Sequence, residues 1–170
     1  EHQDSRDIFV DAFKCVSAGL VSDQLPYKGP YYEYDNVPIA MHPLQKPYPA
    51  FWYGSSGPEG STWAGEQGLH FVTLGSMALA KENIDTFKAA FAKRGSAAQP
   101  KAEFRGGAAI GVQRHIFVDE TDEKARAWAK PAMEKHLENI NWLRTKHGVT
   151  GLVNRLRSEE HTSELQSHHD

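Results

Sequence analysis

From residue 50 onward, short apolar runs alternate three times with longer stretches of helical spacing, and this order constrains the fold more than any composition can. Residues 50–54 read as a strand and 59–67 as a helix. Residues 69–74 read as a second strand, followed by a helix over 80–93 whose Ile84, Phe87 and Phe91 share one stripe. Residues 108–118 carry Ile110, Val112, Ile116 and Val118 in alternation, the mark of a third strand. Asp119 or Thr121 is placed to cap a last helix, with Asp122 and Glu123 in its first turn beside the positive end of the dipole. Ala125, Trp128, Ala129, Ala132, Met133, Leu137, Ile140 and Leu143 predict the buried face of that helix. Pro131 predicts a kink or a split, because it removes one backbone hydrogen bond and crowds the preceding turn. Strands separated by helices run parallel, since a helix carries the chain back to the starting edge. Three such strands are too few to close a barrel or cover both faces of a sheet. The sequence therefore reads as part of one α/β domain whose first half is missing.

Upstream the pattern is different. Ile8, Phe9, Ala12, Phe13 and Val16 recur at three- and four-residue spacing, which predicts a helix over about 4–20 with Asp4 or Ser5 as N-cap. An aromatic, proline-rich passage follows, in which Lys28 and Gly29 suit a turn between two extended stretches. Residues 36–49 hold Pro38, Pro43, Pro47 and Pro49 and predict an irregular, extended loop. A loop of that length in a small domain is commonly one with a task.

The turn after the first of the three strands carries the most chemistry. A strand running into Gly54, Ser55, Ser56 and Gly57 delivers small residues to the start of a helix. Free backbone N–H groups, serine hydroxyls and the dipole's positive end together make a phosphate site. The competing reading is plain turn chemistry, since glycine and serine are ordinary turn residues.

Composition excludes several classes. Residues 157–170 show no apolar periodicity, and their string resembles an in-frame translation of a sequencing adapter and index, so they are set aside as an artefactual or disordered tail. Without them Lys+Arg falls from 19 to 18 and Asp+Glu from 22 to 18, so the formal charge moves from −3 to zero. No basic patch argues for nucleic acid or an anionic membrane. No run approaches the ~20 apolar residues of a membrane span. The chain starts at Glu1 without a leader, which reads as a truncation, and residues 1–156 are expected to form one partial domain. Cys15, the only cysteine, excludes an internal disulfide and a cysteine metal cluster; it reads as a small apolar group on a helix. Three of the nine histidines fall in the tail, so no metal site is expected.

Four pieces in order resemble one family. The stretch 27–34, Tyr-Lys-Gly-Pro-Tyr-Tyr-Glu-Tyr, is similar to its aromatic Y-x-G-x-Y-Y element. Residues 43–49, Pro-Leu-Gln-Lys-Pro-Tyr-Pro, are similar to its P-x-Q-x-P-x-P lead-in, and 51–56, Phe-Trp-Tyr-Gly-Ser-Ser, to its strand and G-G-S-S turn, with Trp63 and Ala64 in the next helix. Residues 117–125 are similar to V-x-x-T-x-E-E-A. Over roughly residues 7–144 the chain thus resembles the luciferase-like, flavin-dependent monooxygenases. The resemblance implies the C-terminal part of a (β/α)8 barrel, with about three parallel strands and their helices. It implies reduced FMN as cosubstrate, O2 as oxidant, a small organic substrate, a separate flavin reductase, and a cytoplasmic, homo-oligomeric parent enzyme. It places Gly54, Ser55, Ser56 and Gly57 at the flavin phosphate. Tyr53 departs from the family, standing where many relatives have glycine, and either alters the phosphate approach or points into the core.

No catalytic acid or base is assigned, because the remaining flavin contacts come from strands not in this sequence. Arg114 and His115 in the third strand, His70 in the second and His42 in the loop are the polar candidates, each with an ordinary surface or core reading beside it. A deazaflavin-dependent reductase or dehydrogenase on the same barrel is an alternative. A third reading is a carbohydrate-binding module with Tyr27, Tyr31, Tyr32, Tyr34 and Trp52 as a coplanar exposed platform, where the barrel predicts a buried Trp52. The 170 residues alone are expected to be inactive.

Overall fold

The computed structural model describes residues 2–94 and 108–149; the tail over 157–170 lies outside the described residues. The chain divides into two units, Glu1–Gln113 and Arg114–Asp170.

Helix α1 (His2–Gly19) begins the first unit, so Asp4 and Ser5 sit inside its first turn rather than capping it. Its buried line also differs from the apolar stripe in the sequence. Ile8, Phe9 and Val16 keep more than a third of their surface exposed, while Asp11, Cys15 and Gly19 are buried. That line faces a hairpin of β1 (Gln24–Lys28) and β2 (Glu33–Pro38), antiparallel as the Lys28–Gly29 turn predicts. Gly29 N–H closes the turn on the Tyr32 carbonyl at 2.8 Å. The register shifts between Leu25 and Tyr27, around Pro26, whose missing N–H fits an irregularity better than a regular ladder. Every residue of β2 is exposed, and Leu25 is the one buried residue of β1.

The second sheet holds β3 (Trp52–Gly54), β4 (His70–Thr73) and β5 (Ile110–Val112), parallel and in that order. Helices α2 (Pro58–Gln67) and α3 (Met77–Lys93) connect or follow the strands, as the alternation requires. Helix α3 starts three residues earlier than its apolar stripe, because the Ser76 hydroxyl accepts the Leu79 N–H at 3.2 Å and caps it. The core lies between this sheet and the two helices. Phe71 of β4 stacks on Phe87 of α3 at 4.8 Å and 8°, Ala64 of α2 closes the cluster, and Tyr53, Ile84 and Phe91 pack around it. The helices approach closely at Gly65, where a Cβ would come within 2.6 Å of the Phe87 carbonyl oxygen.

Two sequence expectations fail at the third strand and the last helix. The ladder of β5 stops at Val112 instead of running to residue 118, with the Gln113 N–H bonding the Thr73 carbonyl at 2.8 Å as its last rung. Strand β4 itself ends at Thr73, and β5 ends opposite it at Val112; Ile116 and Val118 are exposed. In the second unit, α4 (Asp122–Lys146) is capped by Thr121, whose hydroxyl accepts the Lys124 N–H at 3.3 Å; Asp119 instead accepts the Glu120 N–H. The helix continues through Pro131 without splitting. None of its residues is buried, and Trp128, expected on a buried face, is 73% exposed.

Candidate functional site

All three parallel strands end at one edge of the sheet, and the turn leaving β3 is built there from small residues. Gly54 still pairs with Val72, and the Ser55 N–H donates to the Val72 carbonyl at 3.0 Å, so the ladder carries the chain to the turn. Ser55 then folds back. Its hydroxyl accepts the Gly57 N–H at 3.2 Å and donates to the Gly57 carbonyl at 3.1 Å. Gly57 is the N-cap of α2 in extended geometry, and its carbonyl also receives the Ser61 N–H at 3.1 Å and the Ser61 hydroxyl at 2.7 Å. The missing side chain of Gly60 makes this possible, since a Cβ there would lie 2.3 Å from Ser55 Oγ and 3.3 Å from Tyr53 Cε1.

The structure thus brings Gly54, Ser55, Ser56 and Gly57 together but gives the two serines different tasks. Ser55 holds the turn from beneath, whereas Ser56 is exposed. Pro58 at the first helical position has no N–H, and the Gly57 and Ser61 amides are engaged. The exposed Ser56 hydroxyl and the first amides of α2 stand at the helix start beside the positive end of the dipole, while Gly60 itself is buried. Glu59, the acidic residue of that first turn, opposes an anion there. Hydroxyl and amide donors of this kind are what a phosphate group accepts from, and the turn residues Gly54–Gly57 themselves carry no cationic side chain. Tyr53 turns toward the helices, against Trp63 at 4.8 Å and Phe9 at 5.8 Å, which answers where the departure from glycine points.

On the other face of the sheet, Trp52 lies against His70 at 4.9 Å, and a Cβ on Gly111 would touch Trp52 Cζ3 at 3.7 Å. Trp52 is 53% exposed, against the expectation of a buried ring. No carbohydrate platform results either, because the Tyr27 hydroxyl is directed at Asp11 while Trp52 sits on a different sheet against His70. His70 is buried, which pushes its pKa down and favours the neutral ring. Its Nδ1 accepts the Ala109 N–H at 2.8 Å, so the neutral ring carries its hydrogen on Nε2 and ties β4 to the entry of β5.

The other candidates lie elsewhere. His42 pairs with Asp23 at 3.3 Å, at the base of the hairpin. Arg114 and His115 follow the end of β5 rather than sitting within a strand, and the exposed His115 ring meets His136 of α4 at 5.7 Å. Among the described residues no group of three metal-binding side chains occurs. No described helix is long and apolar enough to cross a membrane.

One residue escaped the sequence altogether. Asp11, only 3% exposed, accepts the Tyr27 hydroxyl at 2.6 Å, the Tyr31 N–H at 2.9 Å and the Tyr32 N–H at 3.1 Å. Burial works to raise its pKa, but these donors, helped by the Lys14 charge, hold it below the ordinary carboxylate value of 3.8. The same contact raises Tyr27 to about 12. A Cβ on Gly29 would lie 2.1 Å from Asp11 Oδ1, so only glycine lets the turn close over the carboxylate. The signal was present in the glycine of the Y-x-G-x-Y-Y stretch, read as a turn and not as a contact.

Residues 1–169 match the family model described as luciferase-like monooxygenase. The chain is 28% identical over 141 residues to the uncharacterized protein y4wF of Sinorhizobium fredii, covering 83% of this chain and 40% of that protein. Its fold is similar to the crystal structure of monooxygenase RslO1 from Streptomyces bottropensis, with a TM-score of 0.64 at 16% identity over 79% of this chain and 40% of that one. It is also similar to an F420-dependent secondary alcohol dehydrogenase in complex with an F420-acetone adduct, with a TM-score of 0.51 at 21% identity over 62% and 30%. The chain therefore spans 40% of the length of the curated relative. The parallel β3-β4-β5 sheet with its helices is part of a (β/α)8 barrel.

Proposed function

This chain belongs to the luciferase-like monooxygenase family, and from that premise we propose that it is part of an FMN-dependent enzyme that oxidises a small organic substrate with reduced flavin and O2. The observation that carries the reading is the turn over Gly54, Ser55, Ser56 and Gly57. It stands at the carboxyl ends of parallel strands, where α/β folds place their sites, and opens onto the start of α2. Ser56 and the first amides of α2 would hold the phosphate, and Ser55 would keep them in place. The bound flavin supplies the redox chemistry. The protein's part is to bind, orient and exclude water, and the described residues contribute one wall of that enclosure. A separate reductase supplying reduced flavin, a homo-oligomeric parent in the cytoplasm and one domain over residues 1–156 complete the proposal.

The similarity to an F420-dependent dehydrogenase supports a second reading, a deazaflavin-dependent oxidoreductase on the same barrel. Titration of the full-length enzyme carrying this sequence with FMN and with F420, followed by flavin fluorescence, distinguishes the two. Saturable FMN binding and turnover with reduced FMN and O2 are expected. Binding and turnover with F420 alone would transfer the assignment to the second reading, and a folded enzyme that binds neither cofactor would end both.

A further inference from the structure

Helix α1 touches the hairpin and the aromatic residues that flank the β3–α2 turn through side chains two positions apart. Asp11 grips the hairpin through Tyr27, Tyr31 and Tyr32. Phe9 packs on Tyr53 at 5.8 Å and on Trp63 at 5.4 Å. Tyr53 and Ser55 in turn converge on the same point, since a Cβ on Gly60 would meet Ser55 Oγ at 2.3 Å and Tyr53 Cε1 at 3.3 Å. A continuous line of contacts runs from the hairpin turn through α1 to the underside of the Ser55–Gly57 turn. The hairpin is suited to move as a unit: β2 is exposed throughout, the Ile39 N–H on the Asp23 carbonyl at 2.9 Å closes the hairpin's own base, and among the described residues the buried Leu25 and the Asp11 contacts hold it to α1. A carboxylate surrounded by three donors favours one docked arrangement, and losing those donors together gives a distinct undocked one.

We propose that Asp11 is a positioning residue: the hairpin over residues 24–38 is a latched strap, and its docking on Asp11 stabilises the Ser55–Gly57 turn through Phe9 and Tyr53. Occupation of the turn and docking of the strap then favour each other, because coupling between two sites is reciprocal. That the occupant is a flavin phosphate rests on the function proposed above; the coupling between strap and turn does not.

Hydrogen exchange followed by mass spectrometry tests this on the protein without ligand and with FMN. In Asp11→Asn without ligand, exchange is expected to rise in peptides covering 24–38 and also in 55–61, the latter between about twofold and thirtyfold. Peptides of α3 should be unchanged. Phe9→Ala is expected to loosen 55–61 by itself, and adding Asp11→Asn to it should give no further change there. Tyr27→Phe, a milder change, should shift the same two regions by less. A hairpin that loosens in Asp11→Asn while 55–61 keeps its protection would overturn the proposal. So would loss of protection throughout α3, which would make Asp11 part of the core and not a latch. In the wild type, FMN is expected to slow exchange at 55–61 and at 24–38 together; slowing confined to 55–61 counts against the coupling. FMN that slows neither region removes the flavin reading, while the ligand-free comparison still decides the strap.

Discussion

The Tyr27 hydroxyl donates to Asp11 Oδ1 across 2.6 Å, joining a strand of the hairpin to a carboxylate buried on α1. Two groups that titrate far apart thereby share one contact, and its stability window follows from both. Asp11 has its pKa lowered, so its contribution is present above about pH 3.8 and is lost as pH falls through the folded value. Tyr27 has its pKa raised from 10.0 to about 12, so its contribution is complete below pH 10 and is lost as pH rises toward 12. Denaturant melts across pH should show an alkaline loss between those values that Tyr27→Phe abolishes. An unchanged alkaline limb in that variant would contradict the shared contact.

The two serines of the turn should separate stability from binding. Ser55→Ala removes the hydroxyl engaged with Gly57 and is expected to destabilise the protein by roughly 0.5–1.5 kcal/mol. Ser56→Ala should leave the melting temperature unchanged and weaken FMN binding about two- to tenfold, the worth of one hydrogen bond. Thermal melts paired with FMN titrations of both variants check this, and equal effects on both readouts would refute the division.

At the crossing of α2 and α3, Gly65→Ala is expected to destabilise although alanine is the better helix former. The new methyl would lie 2.6 Å from the Phe87 carbonyl oxygen and 2.8 Å from Ala90 Cβ. Overpacking costs about 1–3 kcal/mol, and a clash with backbone at 2.6 Å belongs to the upper part of that range, above the ~1 kcal/mol gained in helix propensity. Chemical denaturation of the variant is the measurement, and a stability gain would show that the helices are free to separate.

His70 predicts an acid limb of its own. Burial lowers its folded pKa, so the protein favours the neutral ring, and stability should decline as pH falls below the free value of 6.5. His70→Gln should keep an acceptor for the Ala109 N–H and flatten the stability profile from pH 6.5 downward. A profile of unchanged slope would assign the acid limb to other groups.

The sequence was most readable where periodicity and packing agree. Ile84, Phe87 and Phe91 gather at the core as their shared stripe requires, and strand, turn and helix follow one another as the alternation requires. It misled where a pattern needs a neighbour from elsewhere in the chain. Residues 114–118 alternate, but the strand ends at Val112, opposite the end of β4 at Thr73. Trp52 has an apolar ring on a sheet face that the described residues leave half open. Asp11 was hidden because an acidic residue in a helix reads as solvent-facing, and its donors lie 16 to 21 residues away. At the candidate site, residue identities were visible, but the inward turn of Ser55 was not. It depends on the absent side chain of Gly60, five positions later.

That inward turn divides the loop into a residue that keeps its shape and a residue that looks outward. Position 56 can then vary without disturbing the β3–α2 junction, provided Ser55, Gly57 and Gly60 stay as they are. For protein engineering, this makes residue 56 a position where a library would sample new surface chemistry beside the start of α2 while leaving the scaffold's melting point where it was.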